Sequence, residues 1–146
     1  MLENNDQMGK QVILTVDDSP DNIALISGLL KEHYRVKVAT NGKDALQIAF
    51  SSDPPDLILL DIMMPGMDGY EVCQELKRDP QTSDIPIIFL TAKTDVADEE
   101  RGFLLGAADY ITKPISPPIL MARIRTHLRM KRVVDYLKSQ STGDGL

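Results

Sequence analysis

Asp56-Leu57-Ile58-Leu59-Leu60-Asp61, followed by Ile62-Met63-Met64-Pro65-Gly66, is the stretch whose reading decides the fold. Leu57 to Leu60 is apolar without a break. A strand that buries one face alternates polar with apolar residues, so a short unbroken run implies burial on both faces, as in a parallel sheet covered by helices. Asp61 stands at the end of that run. Taken alone it reads as a loop acid, because loops favour Asp and Gly.

Working outward, Gln11-Val12-Ile13-Leu14-Thr15-Val16 and Pro86-Ile87-Ile88-Phe89-Leu90 are further apolar runs of the same kind. Arg35-Val36-Lys37-Val38-Ala39 is weaker and alternates, and Asp109-Tyr110-Ile111 is a short last candidate. Helical periodicity fills the gaps. Ser19-Pro20 reads as an N-cap with Pro at the first helical position, ahead of a stripe of Ile23, Ile26, Leu29 and Leu30. Asn41-Gly42 opens a second helix and Asp68-Gly69 a third, the latter with Val72, Cys73 and Leu76 on its buried side. Val96 to Leu105 makes a fourth, and Ser116-Pro117-Pro118 begins a fifth that runs to about Lys138. Strand and helix therefore alternate five times, which calls for right-handed crossovers and an open parallel α/β sheet with helices on both faces.

Composition agrees with one soluble domain. The chain has 146 residues, 42% hydrophobic and 26% charged, with no apolar run near the ~20 residues of a membrane span. Its net charge of -6 and 5% aromatic content argue against nucleic-acid binding by this chain. The polar stretch Met1 to Lys10 lacks the layout of a signal peptide and reads as a disordered lead. Cys73 is the single cysteine, so no internal disulfide forms, and a reducing cytoplasm is the expected compartment. In its helical setting Cys73 reads as a small buried hydrophobe.

In an open parallel sheet the ligand site lies beyond the carboxyl ends of the strands. Asp17 and Asp18 follow the first strand, Asp61 the third, Thr91 the fourth, and Lys113-Pro114 the fifth. Three converging carboxylates resist joint ionisation unless a cation shares the site. Mg²⁺, or Mn²⁺ in its place, would relieve this, taking one or two carboxylates and keeping waters. One of Asp17 and Asp18 binds the ion directly in this reading, and the other acts through a water of the ion. Asp61 gives one oxygen to the ion and the other as nucleophile, and the Met63 backbone carbonyl completes the protein ligands. Phosphoryl transfer needs positioning and charge stabilisation. Lys113 supplies a point charge for phosphate oxygens, and Thr91 a hydroxyl donor. Each residue also has a plain reading: Asp17-Asp18-Ser19-Pro20 as a helix-capping cluster, Thr91-Ala92 as a strand-end cap, Lys113 as a surface lysine before a turn. Their joint placement at successive strand ends is what the plain readings leave unexplained.

The set Val16-Asp17-Asp18-Ser19-Pro20, Leu60-Asp61-Ile62-Met63-Met64-Pro65-Gly66-Met67-Asp68-Gly69, Leu90-Thr91-Ala92 and Gly106-Ala107-Ala108-Asp109-Tyr110-Ile111-Thr112-Lys113-Pro114 resembles the receiver domain of two-component response regulators, over Gln11 to Arg129. The resemblance implies a flavodoxin-like, doubly wound five-stranded sheet of order 2-1-3-4-5 with five helices. It implies Mg²⁺-dependent transfer of a phosphoryl group from the phosphohistidine of a sensor histidine kinase, or of a histidine phosphotransfer protein, to Asp61. Autodephosphorylation would use the same site. Thr91 would move toward the phosphoryl group and Tyr110 would turn inward, switching the face of the fourth helix, fifth strand and fifth helix. A cis peptide is implied at Lys113-Pro114, and Met63 and Lys93 fall at positions that tune dephosphorylation.

Residues 11–129 thus read as the receiver domain, and 130–146 as a C-terminal helix extension and flexible tail. The stripe Met130, Val133, Val134 and Leu137 suits either a linker helix or a dimer seam, with one more turn folded on its own domain as the plain reading. The overrun resembles receivers joined to a downstream output module, such as a cyclic-dinucleotide enzyme or a kinase. A phosphohydrolase of the haloacid dehalogenase type would want a second Asp two positions after Asp61, where Met63 stands. A receiver degenerate in its chemistry would lack part of the acidic set. In a flavodoxin, Asp17-Asp18 would repel the flavin phosphate.

Overall fold

A computed structural model describes residues 10–92 and 96–144. Its elements are β1 (Val12–Val16), α1 (Pro20–Leu30), β2 (Arg35–Ala39), α2 (Gly42–Ala49) and β3 (Leu57–Leu60). There follow α3 (Gly69–Arg78), β4 (Ile87–Thr91), α4 (Val96–Leu104), β5 (Asp109–Thr112) and α5 (Pro117–Asp144). All neighbouring strands pair in parallel, in the order β2-β1-β3-β4-β5. The expected flavodoxin-like topology is the one observed.

The unbroken apolarity of the central strands has its cause in two cores. Ile58 and Leu60 join Leu14, Val16, Ile87 and Phe89 on the face covered by Val72, Cys73 and Leu76 of α3 and by Ala45 and Ala49 of α2. Leu57 and Leu59 point the other way, to Ile26 and Leu30 of α1 and Leu120, Ile124 and Leu128 of α5. Side chains two apart share a face, so every position of β3 is needed by one core or the other. The weaker pattern of β2 reflects its place at the edge, where Val38 is exposed.

Three helices start on side-chain caps. Ser19, Asn41 and Asp68 accept from the backbone N–H of Asn22, Asp44 and Glu71, each satisfying a donor that the first turn leaves unpaired. The sheet register brings the strand ends level. Val16 lies between Ala39 and Leu60, so Asp17 and Asp61 emerge side by side. The Asp61 N–H donates to the Val16 carbonyl at 3.0 Å, extending the ladder by one residue.

α5 is longer than periodicity suggests: it continues past Lys138, through Ser141, to Asp144, so the segment read as a flexible tail is helical over its first four residues. Leu128 is the last buried side chain among the described residues, and Met130, Val133, Val134, Tyr136 and Leu137 are exposed. Two clamps hold the helix, one where it leaves the core and one farther along. Asp109, at the start of β5, pairs with Arg123 at 2.7 Å and His127 at 2.9 Å, and Lys138 pairs with Asp84.

Candidate functional site

Asp17, Asp18 and Asp61 each offer a carboxylate oxygen within 4.8 Å of the others. Asp17 and Asp61 are buried, and Asp18 is exposed. Lys113, reaching from the loop after β5, sets its Nζ 3.1 Å from Asp17 Oδ2 and 3.9 Å from Asp61 Oδ2. The ammonium therefore sits on the acids themselves. Unscreened carboxylates attract the nearest cation, and the buried members of the set attract it most.

Burial pushes the Asp61 carboxyl up to about 6. Lys113 opposes that rise, while Asp17 and then Asp18 add to it, with the Met63 N–H, 3.4 Å from Oδ1, pulling weakly the other way. Desolvation of a lone carboxylate beside two like charges makes its ionised form costly. Such a site gains from a hard, oxygen-preferring cation, and the three carboxylates together could hold a metal ion.

The scaffold around Asp61 is tight. Gly69 opens α3 against the Asp61–Ile62 backbone, and a Cβ there would lie 2.5 Å from the Asp61 carbonyl oxygen. Gly66 holds a φ of +77°, a left-handed turn open to glycine without strain. Met63, two residues after Asp61, is exposed. Thr91 is fully buried at the end of β4, and its carbonyl accepts from the Lys113 N–H at 2.8 Å, which ties the hydroxyl-bearing strand end to the lysine loop. The Lys113-Pro114 peptide is cis. Lys93 lies outside the described residues.

Tyr110 is buried with its ring inward, 6.3 Å from that of Phe89 in an edge-to-face pair. Cys73 is buried, and desolvation pushes its thiol up to about 11, as a small core hydrophobe should show.

Two participants escape a reading of strand ends alone. The Ser19 N–H donates to Asp17 Oδ1 at 2.9 Å and the Asn22 amide donates to Oδ2 at 3.2 Å. Asp17 thus steadies the start of α1 from within the site, while the helix cap itself is Ser19. Asn22 carries no motif signal of its own; the signal was its position one turn into a helix that begins on the acids.

A doubly wound parallel sheet with a carboxylate cluster and a lysine at its carboxyl edge defines the class, an α/β domain with its candidate site at the strand ends. Residues 13–125 match the family model of the response regulator receiver domain, and the chain belongs to that family. It is 51% identical over 136 residues to a probable cyclic di-GMP phosphodiesterase of Vibrio cholerae, across 93% of this chain and 31% of that protein. It is 46% identical over 129 residues to the response regulator PleD of Caulobacter vibrioides, across 88% of this chain and 28% of that protein. Among solved structures, the BeF3-activated N-terminal receiver domain of Klebsiella pneumoniae RstA superposes with a TM-score of 0.74 at 38% identity, covering 81% of this chain and 98% of that one. The chain spans less than a third of the length of the two full-length relatives. As a receiver domain of response regulators, it is consistent with two-component phosphoacceptor function.

Proposed function

We propose that Asp61 is the phosphoacceptor and that Asp17, Asp18, Asp61 and the Met63 carbonyl hold Mg²⁺, with Mn²⁺ able to replace it. The observation that carries this reading is the meeting of three carboxylates within 4.8 Å with the Lys113 ammonium against two of them. The donor is a phosphohistidine on a sensor histidine kinase or a histidine phosphotransfer protein. An Asp61 carboxylate oxygen forms the new bond to phosphorus, the N–P bond breaks, and the imidazole leaves and takes up a proton. The bound cation supplies charge neutralisation for the phosphoryl oxygens. Lys113 transfers from the acids to a phosphoryl oxygen, and Thr91 donates its hydroxyl to another. Hydrolysis at the same site returns the free carboxylate, with Met63 and Lys93 setting its pace, so the domain acts as a transient signal and not as a turnover enzyme.

Residues 11–129 form the receiver in this reading, 130–146 the connection, and 1–10 a lead. The name of one relative, a probable cyclic di-GMP phosphodiesterase, supports an output linked to cyclic di-GMP after the α5 extension. A homodimer through the α4-β5-α5 face or through the α5 extension would carry the signal, in the cytoplasm. Among the described residues no helix is long and apolar enough to cross a membrane.

Intact mass after treatment with acetyl phosphate and Mg²⁺ tests the reading. A gain of one phosphoryl group in the unsubstituted chain, absent in Asp61→Asn, is expected. An adduct that survives in Asp61→Asn places the acceptor elsewhere.

A further inference from the structure

Beside the acids lies a cavity that the chain's own side chains leave unfilled. It runs between α1 and the loop after β5, with a volume of about 320 Å³. Protein interiors leave few voids larger than a water molecule, so an opening of this size at the edge of a core is unusual. Its floor belongs to that core: Ile26 and Leu90 are buried, and Ile115 packs against the same cluster. Leu25 and Leu29 of α1 line it too, and Leu25 is exposed, so the cavity opens to solvent there. Pro114 and Pro117 bound it on the β5–α5 side, where their fixed φ stiffens the backbone. An apolar cavity of ~150 Å³ takes up benzene. This one has about twice that volume, room for an aromatic ring and a short chain.

One end of the cavity is charged. Asp17 and Lys113 both line it, and Asn22 joins them. Lys113 Nζ, at 3.1 Å, and the Asn22 amide, at 3.2 Å, donate to Asp17 Oδ2, while the Ser19 N–H donates to Oδ1. A carboxylate offers about four lone-pair positions, so Oδ1 keeps one to spare. Asp17, Asp18 and Asp61 set three carboxylates at this end against the Lys113 ammonium, and the sign left over is negative. A carboxylate or phosphate guest meets repulsion there. An ammonium meets an acceptor in a partly desolvated setting, where charge counts for more. An apolar cavity with a few convergent polar groups is the usual form of a small-molecule site.

We propose that this cavity binds a small organic amine, its apolar body between α1 and Ile115 and its ammonium on Asp17 Oδ1. Such a guest takes the acceptor that Asp17 would otherwise give to a cation among the acids. Bound amine and Mg²⁺ therefore oppose one another, and this opposition rests on the reading of Asp17 as a metal ligand. The acidic site thereby gains a chemical input separate from its phosphodonor.

The probes are 2-phenylethylamine and 3-phenylpropionate, which share one apolar body and carry opposite charges. Each is titrated, without divalent cation, into the unsubstituted chain labelled with ¹³C at its Ile and Leu methyl groups. The amine should shift the methyls of Leu25, Ile26, Leu29 and Ile115 saturably and bind at least about tenfold more tightly than the acid. Leu29→Phe, which sets a ring into the cavity, should abolish these shifts. Should that variant fail to fold, Leu25→Ala at the exposed rim should weaken the amine about threefold. Equal affinities for the two probes, or shifts confined to other parts of the chain, overturn the proposal. So do Leu25 and Leu29 methyls that answer only to an amphipathic helical peptide, which would assign the cavity to a protein partner. Added Mg²⁺ should weaken the amine; indifference to Mg²⁺, in a chain whose Asp17 carboxylate does shift with Mg²⁺, overturns the opposition. If Mg²⁺ leaves the Asp17 carboxylate unmoved without amine, the metal reading fails, and the probe comparison alone then decides the cavity.

Discussion

Asp61 carries a cost that the rest of the fold must bear. Its carboxyl ordinarily titrates at 3.8 and is pushed up to about 6 in the folded chain, chiefly by burial. A carboxyl raised on folding contributes stability that is full below the unfolded value and is lost as pH rises through the folded value. Ionised Asp61 should therefore cost the folded state on the order of 2–3 kcal/mol at neutral pH in the absence of a divalent cation. Asp61→Asn is expected to be more stable than the parent by that order at about pH 7.5 with chelator, and equal to it near pH 4. Urea denaturation at the two pH values measures the difference; a gap that persists near pH 4 would show that charge is not its source. Added Mg²⁺ should narrow the gap at neutral pH, because an ion that binds the folded chain alone stabilises the parent. Lys113 opposes the rise of the Asp61 carboxyl. Lys113→Ala should thus move the Asp61 titration, followed by carboxylate ¹³C shift, to higher pH, and a downward move would contradict the pairing at 3.9 Å.

At the scale of elements, the start of α3 and the middle of α1 make opposite demands on glycine. Gly69 has the Asp61 carbonyl oxygen where a Cβ would stand, whereas Gly28, inside α1, has no atom within 4 Å of that position. Gly28→Ala should stabilise the chain by about 0.5–1 kcal/mol through helix propensity and a restricted unfolded state. Gly69→Ala should destabilise it by about 2 kcal/mol or more, since backbone and not a flexible side chain must give way. Chemical denaturation of the two variants should move the midpoint in opposite directions. The elements were legible in the sequence because their causes are local: two-sided burial makes β3 and β4 unbroken apolar runs, and Ser19, Asn41 and Asp68 announce the helices they cap. The carboxylate cluster was legible for a related reason, since parallel strands in register must deliver their next residues to one edge. Tyr70, whose hydroxyl donates to the Asp98 carbonyl of α4, was not, because an aromatic on the buried side of a helix looks the same whether its hydroxyl is idle or joins two elements. Nor was the length of α5. After Leu137 the residues turn polar and the periodic signal ends, yet a helix already nucleated extends at the small cost of propensity alone.

For the whole molecule, the exposed stripe on α5 matters most. Met130, Val133, Val134 and Leu137 recur at helical spacing with Lys131 and Asp135 paired to one side at 2.7 Å, so the charges leave the apolar strip clear. Self-association that tightens with beryllofluoride and Mg²⁺ is expected, and sedimentation velocity of the two states reads it. Identical distributions would assign the stripe to contact within a longer chain. Val133→Glu with Leu137→Glu should abolish the shift without altering the acetyl phosphate adduct, since neither residue approaches the acids.

The helix that carries this stripe has a mechanical side. From Leu128, its last buried residue, to Asp144 are sixteen further residues, about 24 Å of rod beyond the last core contact. A tilt of about 10° at the root would sweep the far end through roughly 4 Å, about three quarters of the rise of a helical turn. The two clamps act at different distances from that root: the Asp109 contacts to Arg123 and His127 behind it, and the exposed Lys138–Asp84 pair well along the rod. A solvent-exposed pair yields easily, so the outer clamp is a detent and the inner one a fulcrum. Small rearrangements beside β5 are thus geared up into larger displacements at the far end of the helix.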